Sequence, residues 1–134
     1  MSRRQARCVA LQTLFQLDLN SILNKENAID GVLGLTKVLK ERDFLYMHNL
    51  VDGTIDNKAY IDSKIGAVSG DWHLDRMPAV DRNILRIAVY ELEFGSADLT
   101  PKIIINEAVE LAKQFGTDDS SRFINGVLGS IVRK

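Results

Sequence analysis

Between residues 3 and 132, apolar side chains recur three and four positions apart, and no stretch sustains the alternation of a half-buried strand. A three-to-four period puts those side chains on one face of a helix. Ala6, Ala10, Leu14 and Leu17 form such a stripe over segment 3–20, with Arg4, Leu11 and Phe15 on a neighbouring stripe and Cys8 beside them. Segment 25–39 repeats the pattern with Ala28, Ile29, Val32, Leu33 and Leu39. Segment 43–66 sets Phe44, Met47, Leu50, Val51, Ile55, Ile61 and Ile65 on one broad face. It predicts a single long helix, weakened at Gly53 by about 1 kcal/mol relative to alanine. Gly66, Gly70 and Pro78 then interrupt the pattern, leaving room for a short helical turn around Trp72 to Arg76. Segment 79–94 resumes with Val80, Ile84, Ile87 and Leu92 apolar and Arg82, Arg86 and Glu93 opposite, and Gly95 closes it. Thr100 suits an N-cap and Pro101 the first helical position. Ile104, Ile105, Ala108, Leu111, Ala112 and Phe115 form the buried face of that helix, with Gly116 as its stop. Asp118 or Asp119 is expected to cap the last helix, which runs to about Val132. The expected fold is all-α, a compact bundle of six to seven helices in one domain spanning 1–134.

A chain of 134 residues suits one domain with a real core. The 17 Lys+Arg against 18 Asp+Glu give no bulk charge signal. The distribution does: Arg3, Arg4 and Arg7 precede the first carboxylate, Asp18. One thiol, Cys8, makes no internal disulfide. No apolar run approaches the ~20 residues of a membrane span. Gln5, Arg7, Gln12 and Gln16 interrupt any signal-like apolar core. A cytoplasmic location is expected.

Catalytic chemistry finds no footing. His48 and His73 share no ligand spacing with Cys8, so no metal site is expected. Gly31 and Gly34 lie in a helical pattern without the Lys and Ser/Thr of a phosphate loop. Asp18, Asp30, Asp52, Asp56 and Asp62 read as solvated faces rather than a paired acid and base. Neither an enzyme nor a cofactor is expected. Glu91 falls inside the apolar arc of its helix, which suits a buried, paired acid or a partner contact.

Binding chemistry is present at the N-terminal end. Arginine forks match phosphate oxygens in a bidentate way. Phe15 follows Arg4 on nearly the same stripe and offers a ring on which a base can stack. Two readings of these residues stay open: a phosphate-binding and base-stacking face, or a solvated basic helix end with Phe15 in the core.

Several long segments resemble the NusB family in order and spacing. Arg3-Arg4-Gln5-Ala6-Arg7 followed by Ala10-Leu11-Gln12-Thr13-Leu14-Phe15-Gln16 is similar to its opening helix, and the run from Val80 to Leu92 to its central helix. Pro101 through Gly116, and Asp119-Ser120 to Phe123-Ile124-Asn125-Gly126-Val127-Leu128, resemble its C-terminal signature. The resemblance runs from about residue 3 to 132 and is loosest over 20–45 and 66–78. It implies an all-helical factor that pairs with the ribosomal protein NusE and binds the single-stranded boxA element of ribosomal-RNA leader transcripts. That complex helps RNA polymerase resist termination. By the same resemblance, Arg3, Arg4, Arg7, Gln12 and Phe15 form the RNA-facing helix. Lys102, Asp119 and Phe123 form a second RNA-proximal edge, and Asp75 and Asp81 the region that meets the ribosomal protein. Phe15 stands where the family commonly has tyrosine, which keeps the stacking face and removes a hydroxyl. The arginine cluster is short, so modest RNA affinity without the partner is expected. Two alternatives remain: a domain related to the N-terminal RNA-binding part of ribosomal-RNA cytosine methyltransferases, and a protein-only helical scaffold. The chain carries no cofactor-binding βαβ region, which favours the free-standing factor. The sequence leaves a homodimer open.

Overall fold

The structure, a computed structural model, describes residues 2–20, 22–33, 40–70 and 73–133. Seven α-helices and one 3-10 turn account for most of them, with no strand among the described residues. The helices are α1 (Ser2–Leu19), α2 (Lys25–Leu33), α3 (Glu41–Asp56), α4 (Lys58–Gly66), α5 (Ala79–Phe94), α6 (Pro101–Phe115) and α7 (Ser120–Arg133). Leu74–Arg76 form the 3-10 turn. The expected positions Gly34, Leu39 and Trp72 lie outside the described residues. The chain groups into two compact units, Met1–Gly53 and Thr54–Lys134.

In the first unit, α1 packs against α2. Their small and branched residues at helical spacing (Ala6, Ala10 and Leu14; Ala28, Ile29 and Val32) are buried. Leu17, expected on the same stripe, is only half-buried. Helix α3 buries Met47, Leu50 and Val51.

The long helix expected over 43–66 is two helices. Gly53 stays helical, and the break falls at Asn57, whose φ of −112° and ψ of 18° lie outside the helical well. Phe44 and Ile55, expected on the buried face, are 36% and 40% exposed. Both precede the break, so it does not account for them; on the wheel of α3 they lie at the edge of the apolar arc, beyond the buried Val51, Met47 and Leu50.

The second unit is built around α5, which packs against α4, α6 and α7. Every residue from Asn83 to Glu91 is buried. Arg86 therefore does not lie on the expected polar face. It is buried at 6% exposure and makes a two-pronged ion pair, with its Nε 2.8 Å from Asp62 Oδ1 and its Nη2 3.0 Å from Asp62 Oδ2. Asp62 lies on α4, so the fork fixes α4 against α5. Either side of Asp62 on α4, Tyr60 donates to Glu93 near the end of α5 at 3.2 Å and Lys64 lies 3.8 Å from it.

Helix α6 starts as its sequence dictates. The Thr100 hydroxyl accepts from the Ile103 amide at 3.3 Å and Pro101 occupies the first turn. Gly116 is required by a close approach: a Cβ there would lie 2.5 Å from the Ser120 hydroxyl and 2.9 Å from the Ala112 carbonyl oxygen. That same hydroxyl accepts from the Thr117 amide at 2.9 Å, tying the turn before α7 to the helix's first residue. Gly70 has a positive φ of 63°, at no cost for glycine.

Because Arg86 is almost fully buried and Asp62 about a quarter exposed, removing one partner leaves an uncompensated charge. Asp62→Asn leaves the guanidinium buried without its counter-charge and is expected to cost about 3 kcal/mol of unfolding free energy or more. Arg86→Met leaves a carboxylate that water partly reaches and is expected to cost less, about 1–2 kcal/mol. Denaturant titrations of the two variants check this order.

Candidate nucleic-acid interface

Helix α1 carries five of the residues singled out from the sequence. At about 100° per residue, Arg4, Phe15 and Gln12 fall within roughly 80° of one another, with Cys8 among them. Arg4 is exposed, and Phe15, Gln12 and Cys8 are half-buried. The opposite arc holds the buried Ala6, Ala10 and Leu14, so burial of that apolar stripe turns the arginine, the ring and the amide outward together.

Arg3 and Arg7 follow a neighbouring stripe one turn apart. Arg3 is half-buried, whereas Arg7 is only 4% exposed. Both meet Tyr46 of α3. Arg7 Nη2 donates to the Tyr46 hydroxyl at 2.9 Å. The guanidinium carbons of Arg3 and Arg7 lie 5.0 and 5.5 Å from the centroid of its ring, within the ~6 Å range of cation–π attraction. The sequence treats the three arginines alike, and the structure grades them by exposure. Tyr46 has no distinguishing mark in the sequence. The available signal is indirect: two arginines at i and i+4 repel each other and need something between them.

The second unit holds the remaining candidates. Lys102 is exposed in the first turn of α6. Asp119 is exposed and Phe123 half-buried. These last two, with Pro78, Asp81, Thr117 and Ser120, line a cavity of about 280 Å³. Lys102 is not among the lining residues. Asp75 and Asp81, expected to act together, differ in placement. Asp75 is exposed on the 3-10 turn, while Asp81 is 5% exposed in the first turn of α5. The buried Oδ1 of Asp81 has no hydrogen-bond partner. The cavity thus joins two carboxylates, two hydroxyls and an aromatic ring, a lining that accepts hydrogen bonds from N–H groups. Among the described residues, no helix is long and apolar enough to cross a membrane.

Residues 4–133 match the model of the NusB family. The chain belongs to the NusB family. It is 47% identical over 132 residues to the transcription antitermination protein NusB of Pelotomaculum thermopropionicum, covering 98% of this chain and 90% of that one. Among solved structures it is similar to NusB of T. maritima, with a TM-score of 0.90 and 32% identity over 98% of this chain and 91% of the other. It is also similar to a chain in a crystal structure of antitermination factors NusB and NusE in complex with double-stranded RNA. There the TM-score is 0.87 and the identity 29%, over 98% and 96% of the two chains.

The unequal burial of the two aspartates in this NusB-family chain has a direct consequence for stability. Asp75→Lys is expected to change the unfolding free energy by less than about 0.5 kcal/mol, as for an ordinary surface substitution. Asp81→Lys forces a longer cationic chain into a buried position and is expected to cost about 1–3 kcal/mol. Thermal midpoints of the two variants check the contrast; equal midpoints would show that the cavity lets the new side chain out to water.

Proposed function

We propose that this chain is a transcription antitermination factor. It binds boxA-type single-stranded RNA of ribosomal-RNA leader transcripts together with the ribosomal protein NusE, and that complex helps RNA polymerase resist termination. It works by binding rather than catalysis, in the cytoplasm, as one domain over residues 1–134. The observation that carries the reading is the outward face of α1, which Arg4, Gln12 and Phe15 share, spread along roughly 16 Å of the helix. A face with a cation at one end and a half-exposed ring at the other suits a single strand laid along it: the cation meets a phosphate and the ring stacks a base.

In this reading Arg3 and Arg4 contact phosphates directly, and the buried Arg7 belongs to the same set with the least surface to offer. Lys102, Asp119 and Phe123 form a second RNA-proximal edge. Asp75 and Asp81 belong to the region facing NusE, where the exposed carboxylate of Asp75 complements a basic partner and chiefly sets on-rate and specificity.

Salt titration with a labelled boxA oligonucleotide tests the reading. Replacing both Arg3 and Arg4 by Gln is expected to shrink the slope of log affinity against log salt. The decrease is about 0.7 for each phosphate of a single strand that is no longer neutralised. Phe15→Ala is expected to cost about 1–3 kcal/mol of affinity with little change in slope, and Phe15→Tyr to retain the parent affinity. Parent affinity and parent slope in the folded double arginine variant would leave α1 a solvated basic surface and point to a protein-only scaffold.

A further inference from the structure

We propose that Tyr46 is a positioning residue of the RNA-binding face: it anchors the buried Arg7 and, with the same ring, orients the guanidinium of the more accessible Arg3 for the phosphate backbone. This rests on the RNA reading of α1, and the experiment below separates the two.

Arg3 and Arg7 sit one helical turn apart, where like charges destabilise each other. Arg7 is also 4% exposed, and a buried cation is tolerated only with partners. Tyr46 answers both demands from a different helix. Its hydroxyl accepts from Arg7 Nη2 at 2.9 Å, and one ring lies under both guanidinium groups, at 5.0 and 5.5 Å from its centroid. An aromatic partner differs from a carboxylate in two ways that matter for an anion-binding face. It brings no negative charge to cancel the arginines. Its ring contact also uses none of their N–H groups, so the planar fork of the more accessible Arg3 is oriented without its donors being consumed by that contact. An arginine free in solvent would have to be ordered when RNA binds, at a cost of roughly 2- to 12-fold in affinity for each such side chain. Tyr46 meets that cost during folding.

The test uses the full chain and a labelled single-stranded boxA oligonucleotide at low salt. Tyr46→Met removes ring and hydroxyl and keeps an apolar side chain. Tyr46→Phe removes the hydroxyl alone. Arg3→Gln is measured in the parent and in the Tyr46→Met background. Tyr46→Met is expected to weaken RNA binding roughly 2- to 12-fold with an unchanged salt slope, because every charge is still present. Tyr46→Phe is expected to stay within about twofold of the parent, since the ring attraction remains. The affinity decrease caused by Arg3→Gln is expected to be at least about twofold smaller in the Tyr46→Met background, as for coupled neighbours. A role confined to stability would move the thermal midpoint and leave this coupling at zero. Should Tyr46→Met fail to fold, Tyr46→pentafluorophenylalanine keeps the shape, reverses the electrostatics of the ring face and is expected to weaken binding equally. Parent affinity in a folded ring variant, or an Arg3→Gln effect equal in both backgrounds, overturns the proposal. If Arg3→Gln weakens binding but does not couple to Tyr46, the RNA reading stands and the proposal alone falls. If the parent shows no salt-dependent RNA affinity, both fall.

Discussion

Helix α5 has no solvent face between Asn83 and Glu91, and that constraint organises the whole second unit. A helix buried all round is normally apolar all round, yet this one carries Asp81, Asn83, Arg86 and Glu91, each below 9% exposure. Polar groups in that setting must be partnered or left at a cost. Arg86 meets the requirement by reaching across to Asp62, with a further bond to Asn83 at 3.3 Å. Asn83 in turn donates to the Ala79 carbonyl at 2.8 Å. These bonds are directional where apolar packing is not. Ile84, Leu85 and Ile87 supply the burial energy, while the Arg86 fork dictates the register at which α4 lies against α5.

The two units bury arginine by different means. Arg86 meets a carboxylate in bidentate geometry, which neutralises it and serves architecture. Arg7 meets an aromatic ring and its hydroxyl, which orient the cation without adding an opposing charge. The difference follows the helix faces. Arg86 lies between helices, where an uncompensated charge would be costly. Arg7 lies at the end of α1 that also carries Arg3 and Arg4, and Tyr46 contacts it without adding a charge.

How much of this is legible in the sequence depends on how local each determinant is. The Thr100-Pro101 start and the Gly116 stop of α6 are properties of a few adjacent residues, and the structure places that helix where they say. The outward grouping of Arg4, Phe15 and Gln12 is likewise a matter of spacing within one helix. The break at Asn57 is not legible, because asparagine carries no steric veto like that of proline and the apolar period continues on either side of it. Arg86 is misassigned by a helical wheel because the wheel cannot show that α5 has no outside, a fact fixed by α4, α6 and α7 together. Tyr46 and the cavity residue Thr117 stay hidden for a related reason: their significance comes from residues 39 and 36 positions away, Arg7 and Asp81.

On the proposed reading, the two candidate surfaces divide the work of recognition by their chemistry. The α1 face presents cations and a ring, which suit phosphates and the faces of bases but discriminate little among sequences. The cavity edged by Asp81, Asp119 and Phe123 is acidic. Acidic groups near a polyanion carry a repulsive cost in every complex, and specific hydrogen bonds from N–H donors are what can offset it. Base amino and imino groups supply such donors, as do the basic side chains of a protein partner. The Oδ1 of Asp81 has almost no accessible surface, so the exposed carboxylate of Asp119 is the acceptor that such a donor can reach, and a charge-assisted bond there rewards a correct donor over a wrong one. Affinity in such an arrangement comes mainly from the arginines, and selectivity mainly from the acid.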